Sequence, residues 1–92
     1  MHAFLERLGL TEENSGVAAG ETFDANGEWI ESVSPANGEV IARVRQANAD
    51  DYEKVLAKSV AAFEAWRRVP APVRGEIVRE IGIELRTHKS DL

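Results

Sequence analysis

At Asn48 the apolar periodicity of this chain changes, and that change limits what the chain can fold into. Upstream, Val40, Ala42 and Val44 alternate with Ile41, Arg43 and Arg45, the two-residue repeat of a strand with unlike faces. Downstream, Tyr52, Val55, Leu56, Ser59, Phe63 and Trp66 recur at helical spacing and share one helix face. Strands that give way to helices, with no return to strand, imply an α+β segment.

Two Asn-Gly pairs organise the strand half, Asn26-Gly27 and Asn37-Gly38. Both residue types tolerate the positive φ of a type I′ turn, which matches the twist of paired strands. The reading is therefore an antiparallel meander within 21–45. Glu21–Ala25 pairs with Glu28–Ser34, Pro35–Gly38 turns, and Glu39–Arg45 completes it. Ahead of it, Ala3–Leu8 suits a short helix with Phe4, Leu5 and Leu8 on one side and Gly9 as its stop. Thr11–Gly20, polar and rich in small residues, reads as loop.

Asn48 is a good N-cap, and Asp50 and Asp51 place negative charge at the favourable end of the helix dipole. The first long helix spans about 49–68, ends on Arg67 and Arg68, and is stopped by Pro70. Pro72 suits the first turn of a second helix over about 73–88, whose stripe is Val73, Ile77, Val78, Ile81 and Leu85. Gly82 weakens it by roughly 1 kcal/mol against Ala and suits a close crossing. Phe63, Trp66, Ile77, Ile81 and Leu85 are expected to be buried against one another.

The chain has 92 residues, one small domain or a piece of a larger one. Sixteen acidic residues against eleven basic ones give a formal charge of −5, which disfavours nucleic acid and anionic membrane surfaces. No cysteine is present, so disulfides and thiolate chemistry are excluded within these residues. The N-terminus lacks the pattern of a signal or transit peptide and no apolar run is long enough to span a bilayer, so cytoplasm is the expected compartment.

The glycines form neither a dinucleotide fingerprint nor a phosphate loop. His2 and His88 have no partner at metal-ligand spacing, and His88 suits a helix C-terminus. Glu76, Glu80 and Glu84 line one helix face, where a solvated surface is the simpler reading than acid–base work. Trp66 lies on the apolar stripe, whereas Trp29 is open between core and partner anchor. Arg67 and Arg68 stabilise a helix end that presents carbonyls, the wrong end for a phosphate. Read from its residues, the chain has no catalytic and no cofactor-binding constellation.

The ordered series "GEW" at 27–29, "SPANGEVIARV" at 34–44, "AAFEAWRRVPAPVRGEIVREIG" at 61–82 and "LR" at 85–86 resembles the start of an aldehyde dehydrogenase. "LGLTEENSGV" at 8–17, "IARVRQANADDYE" at 41–53 and "PAPVRGEIVREIG" at 70–82 are similar to the antiquitin-type branch, the α-aminoadipic semialdehyde dehydrogenases. The resemblance implies a larger α/β fold in which 1–92 opens the NAD-binding domain, with the remainder and the catalytic and oligomerisation domains outside this chain. It implies NAD, an aldehyde substrate and a homo-oligomer, a tetramer. It also implies a mechanism in which a Cys thiolate attacks the aldehyde, hydride leaves to NAD, and a carboxylate activates water. None of those groups has a matching position here. In some relatives backbone carbonyls before the turn hold a monovalent cation, and Ser32 and Val33 occupy that place. Arg43, Arg45 and Arg74 are not expected to clamp a substrate carboxylate.

Two functions remain open from the residues alone. One is the opening segment of an aldehyde dehydrogenase, inactive by itself. The other is a self-standing α+β interaction module that uses Trp29 and its helix faces. A glycine-led helix after Leu92 and a later Cys would separate them.

Overall fold

The computed structural model describes residues 2–92. The elements are α1 (Ala3–Arg7), β1 (Glu13–Ser15), β2 (Trp29–Val33), β3 (Val40–Arg45), α2 (Ala49–Trp66) and α3 (Ala71–Thr87). Both long helices and β3 fall where the periodicity predicts them. The sheet is not the predicted antiparallel meander. Its order is β1-β3-β2, with β3 central, antiparallel to β2 and parallel to β1.

The correction has a local cause. Residues 21–25 form no strand, only an isolated bridge between Ala18 and Thr22. Neither Asn26 nor Gly27 has a positive φ, so Asn26-Gly27 is not a type I′ turn. Gly27 instead lies against the exit of β3. Its N–H donates to the Gln46 carbonyl at 2.7 Å, and a Cβ there would stand 2.5 Å from that oxygen. Glycine is required by close backbone approach, not by turn conformation. On the other side of β3 the Gly16 N–H donates to the Arg45 carbonyl at 2.9 Å, which continues the β1 pairing. Part of the expected loop therefore supplies the third strand.

The second Asn-Gly does turn the chain, though not as a I′ pair. Only Gly38 is left-handed, at φ 75°. Its N–H donates to the Ser34 carbonyl at 2.8 Å, and the Ser34 N–H donates to the Glu39 carbonyl at 2.8 Å. This closes β2 on β3. The register slips between Ser32, opposite Ala42, and Val33, opposite Val40, so Ile41 is the extra residue of a bulge.

α2 starts on a complete capping box. The Asp51 N–H donates to Asn48 Oδ1 at 2.8 Å, and the Asn48 N–H donates to Asp51 Oδ2 at 3.0 Å. α3 starts after Pro70, whose carbonyl accepts from the Val73 and Arg74 N–H groups at 3.0 and 3.1 Å. Pro72 sits in its first turn, where no helical N–H is lost.

The apolar core is small: Leu5, Val17 and Ala25 are buried. The expected cluster does not form. Phe63 is 54% exposed, Trp66 37%, Ile77 38%, Ile81 57% and Leu85 57%. Among the described residues the close element pairs are strand on strand, and neither long helix packs closely on the sheet or on the other helix. The radius of gyration is 16.5 Å, against about 12 Å for a compact chain of this length. The stripes are amphipathic as predicted, but these residues supply no surface to cover them.

Exposure on this scale makes the stripe cheap to truncate in the segment alone. Trp66→Ala in isolated 1–92 is expected to change stability by less than about 1 kcal/mol. The same change in a longer chain that covers the stripe is expected to cost about 3–5 kcal/mol. Urea unfolding followed by circular dichroism checks both. A loss of several kcal/mol in the isolated segment would show that Trp66 is packed there.

Candidate functional site

Two features organise the surface: a buried polar joint where strand gives way to helix, and apolar helix faces that stand open.

The joint is built on Asp51, the buried charged residue at 2% exposure. Its carboxylate accepts from the Asn26 N–H at 2.8 Å, from Asn26 Nδ2 at 2.7 Å and from the Asn48 N–H at 3.0 Å. Asn48 and Asp51 are brought together by the first helical turn. Asn26 arrives from a loop 25 residues upstream in sequence. The hydrogen bond from the Asn48 backbone, then that from the Asn26 side chain, holds the Asp51 carboxyl below the usual carboxylate range despite burial. From the sequence Asp51 reads as a dipole-matching charge, and the link to Asn26 has no local signal. The capping-box spacing of Asn48 and Asp51 was the part that could be found. The same arrangement closes the α2 N-terminus to a pyrophosphate, because Asp51 already fills it with negative charge.

The open faces carry Tyr52, Leu56, Val60, Phe63 and Trp66 on α2 and Val73, Ile77, Ile81 and Leu85 on α3, all more than a third exposed. Apolar stripes of this extent mark a docking face. Charged residues flank them: Arg67 approaches Glu64 at 3.9 Å, and Arg79 Nε donates to Glu76 at 2.9 Å. Glu76 and Glu84 are thus surface pairing groups, Glu84 lying 3.2 Å from the His88 ring at the helix end. Arg74 Nε is a buried side-chain donor with no acceptor among the described residues.

Trp29 is neither core nor a bare anchor. The Arg43 and Arg45 guanidinium groups lie 4.3 and 5.7 Å from its ring centre. Arg43 also pairs with Glu13, and Arg45 Nε donates to the Gly27 carbonyl at 3.0 Å. Both arginines are engaged in joining β1, β2 and β3. At the other end, Arg7 donates from Nε at 3.1 Å and from its terminal nitrogen at 2.6 Å to Asp91. Those bonds hold the Asp91 carboxyl below its ordinary range. Leu8, Ile81, Leu85 and Leu92 line the apolar groove beside this pair.

Ser32 and Val33 end β2 at the bulge. Their backbone lies on the edge strand of the sheet, beside the turn. Among the described residues no three His, Cys, Asp or Glu side chains cluster as a metal site. No helix among them is long and apolar enough to cross a membrane.

The profile described as "Aldehyde dehydrogenase family" matches residues 22–92. Among similar proteins, the alpha-aminoadipic semialdehyde dehydrogenase of Bos taurus is 52% identical over 85 residues, which cover 92% of this chain and 16% of that protein. That of Rattus norvegicus is 51% identical over 85 residues, with the same two shares, 92% and 16%. Aldehyde dehydrogenase family 7 member A1 of Pisum sativum is 48% identical over 83 residues, 90% of this chain and 16% of that protein. The chain thus spans about a sixth of the length of these curated relatives.

The joint has a pH signature. The Asp51 pKa is lowered on folding, so between its folded and unfolded values the unfolded state binds more protons and stability rises with pH. The Asp51 contribution is full above the unfolded value and is lost as pH falls from about 5 through the lowered folded value. Asp51→Ala is expected to lower the urea midpoint at neutral pH and to flatten the acid limb of midpoint against pH. Asn48→Ala is expected to cost about 1 kcal/mol through the cap alone. Parallel acid limbs for wild type and Asp51→Ala would contradict the joint.

Proposed function

This chain belongs to the aldehyde dehydrogenase family, and from that premise we propose that the whole protein is an NAD-dependent dehydrogenase of α-aminoadipic semialdehyde. Residues 1–92 are proposed to open its NAD-binding domain. The observation that carries the substrate reading is the near-50% identity, over nine-tenths of this chain, to proteins named for that substrate.

The segment's proposed role is architectural. Its apolar faces on α2 and α3 dock on the remainder of its own chain, and the Asp51 joint sets the angle at which the sheet meets them. NAD, which supplies hydride acceptance when bound, is held by residues outside this segment, as are the Cys nucleophile and the carboxylate that activates water. Ser32 and Val33 would lend backbone carbonyls to a monovalent cation, for which oxygen donors are the right chemistry. Further donors would come from elsewhere in the protein. The assembly is proposed to be a homo-tetramer.

A substrate with a carboxylate and an ammonium needs fixed opposite charges at its site. Arg43 does not supply one in this reading, since Glu13 and Trp29 already occupy it. The test uses the full-length enzyme. kcat/KM for the semialdehyde is expected to exceed that for a simple aliphatic aldehyde by at least about tenfold, and Arg43→Ala to leave that ratio unchanged within about twofold. Equal efficiency on the two substrates would remove the substrate assignment and leave the family.

A further inference from the structure

The two Asn-Gly pairs carry the same latent chemistry, and the fold treats them differently. In such a pair the glycine amide nitrogen can attack the asparagine side-chain amide. A bond forms from the nitrogen to Cγ, the nitrogen gives up its proton, the Cγ–Nδ2 bond breaks and ammonia leaves. Water then opens the resulting cyclic imide at either carbonyl, which yields aspartate or isoaspartate with no change in oxidation state. Glycine favours the attack because no Cβ obstructs it.

At Asn26 both reacting groups are tied to distant parts of the fold. Nδ2 donates to Asp51 Oδ1 at 2.7 Å, and the Asn26 N–H donates to Asp51 Oδ2 at 2.8 Å. The Gly27 N–H, the nucleophile's own hydrogen, donates to Gln46 at 2.7 Å. A Cβ on Gly27 would stand 2.5 Å from that oxygen, so the backbone has little room to turn toward Cγ. Freeing this pair requires opening the joint between the sheet and α2.

At Asn37 every such restraint is local. Asn37 is exposed in the turn between β2 and β3, and the bonds around it run only among residues 34–39. The Gly38 N–H donates to Ser34, and Gly38, at φ 75° with open space around it, is free to rotate once that one bond opens. The Glu39 N–H donates to Asn37 Oδ1 at 3.0 Å. That donor polarises the Cγ carbonyl and faces the oxygen on which charge develops during the attack. Turn tips open at far lower free energy than the packed parts of a fold.

We propose that Asn37 is a site of spontaneous deamidation in this protein and that the Asp51 joint shields Asn26 from the same reaction. The product inserts a carboxylate, and for isoaspartate an extra backbone methylene, into the turn that sets the β2–β3 register.

The experiment incubates the purified full-length protein at mildly alkaline pH and follows the conversion of amide to carboxylate by peptide mass spectrometry. Asn26 and Asn37 share one tryptic peptide, Leu8–Arg43, so fragment ions assign the site. In the folded protein Asn37 is expected to convert roughly tenfold or more faster than Asn26. In denaturing urea the two rates are expected to converge. Equal rates in the folded protein, faster loss of Asn26, or no conversion of Asn37 while the unfolded chain converts would each overturn the proposal. So would a disparity that persists unchanged in urea, because sequence context and not the fold would then set it.

Discussion

The carboxylate of Asp51 fixes where the sheet ends and the helix begins. Burying a carboxylate is unfavourable unless its lone pairs are filled. Here three donors fill them, two from Asn26 and one from Asn48. Because one oxygen, Oδ2, accepts from both Asn26 and Asn48, the loop entering β2 and the residue capping α2 are each held one hydrogen bond from the same atom. Gly27 then has to pass against Gln46, which is the contact only glycine allows. Asp51 therefore acts twice, as the reciprocal half of a helix cap and as the tie that brings a distant loop onto it.

The helices beyond that joint are stable for a different reason, or rather await one. An isolated helix of 18 residues with no packed face is marginal in water. α2 has a capping box with Asp50 and Asp51 in its first turn, and α3 has Pro72 in its first turn and Arg86 in its last, but their apolar side chains remain largely in solvent. The chain spans about a sixth of the length of these relatives, and nothing among the described residues covers the stripe. The Arg7–Asp91 pair adds a connection between the first helix and the last turn, with the Arg7 side chain 59% exposed and that of Asp91 11%.

What was legible in the sequence divides along the range of the interactions involved. The cap at Asn48, the bounds of α2 and α3, the Pro72 helix start and the alternation of β3 all arise from neighbours within one or two turns of chain, and all are seen. Asn26-Gly27 was misread because the same dipeptide serves two purposes. A positive φ would have made a hairpin, whereas close approach to Gln46 makes a crossing, and only the fold tells them apart. β1 was missed because three polar residues, Glu13 to Ser15, carry no alternation, and a parallel partner is never adjacent in sequence. Burial of Phe63 and Trp66 failed for another reason: the stripe marks an apolar face, and nothing among the described residues covers it.

Polar and apolar satisfaction thus part company in this segment. Among the described residues the buried side-chain polar atoms are satisfied internally, down to a carboxylate with three donors, with Arg74 Nε the exception. Its apolar requirements are not. Directional bonds specify geometry, and they are made here by residues within the segment. Area burial provides most of the stabilisation of a fold, and along α2 and α3 the described residues do not supply it. It follows that substitutions at Asp51 or Gly27 act on the joint between loop and helix, and substitutions along Leu56, Phe63, Ile77 and Leu85 act on faces that stand open among the described residues.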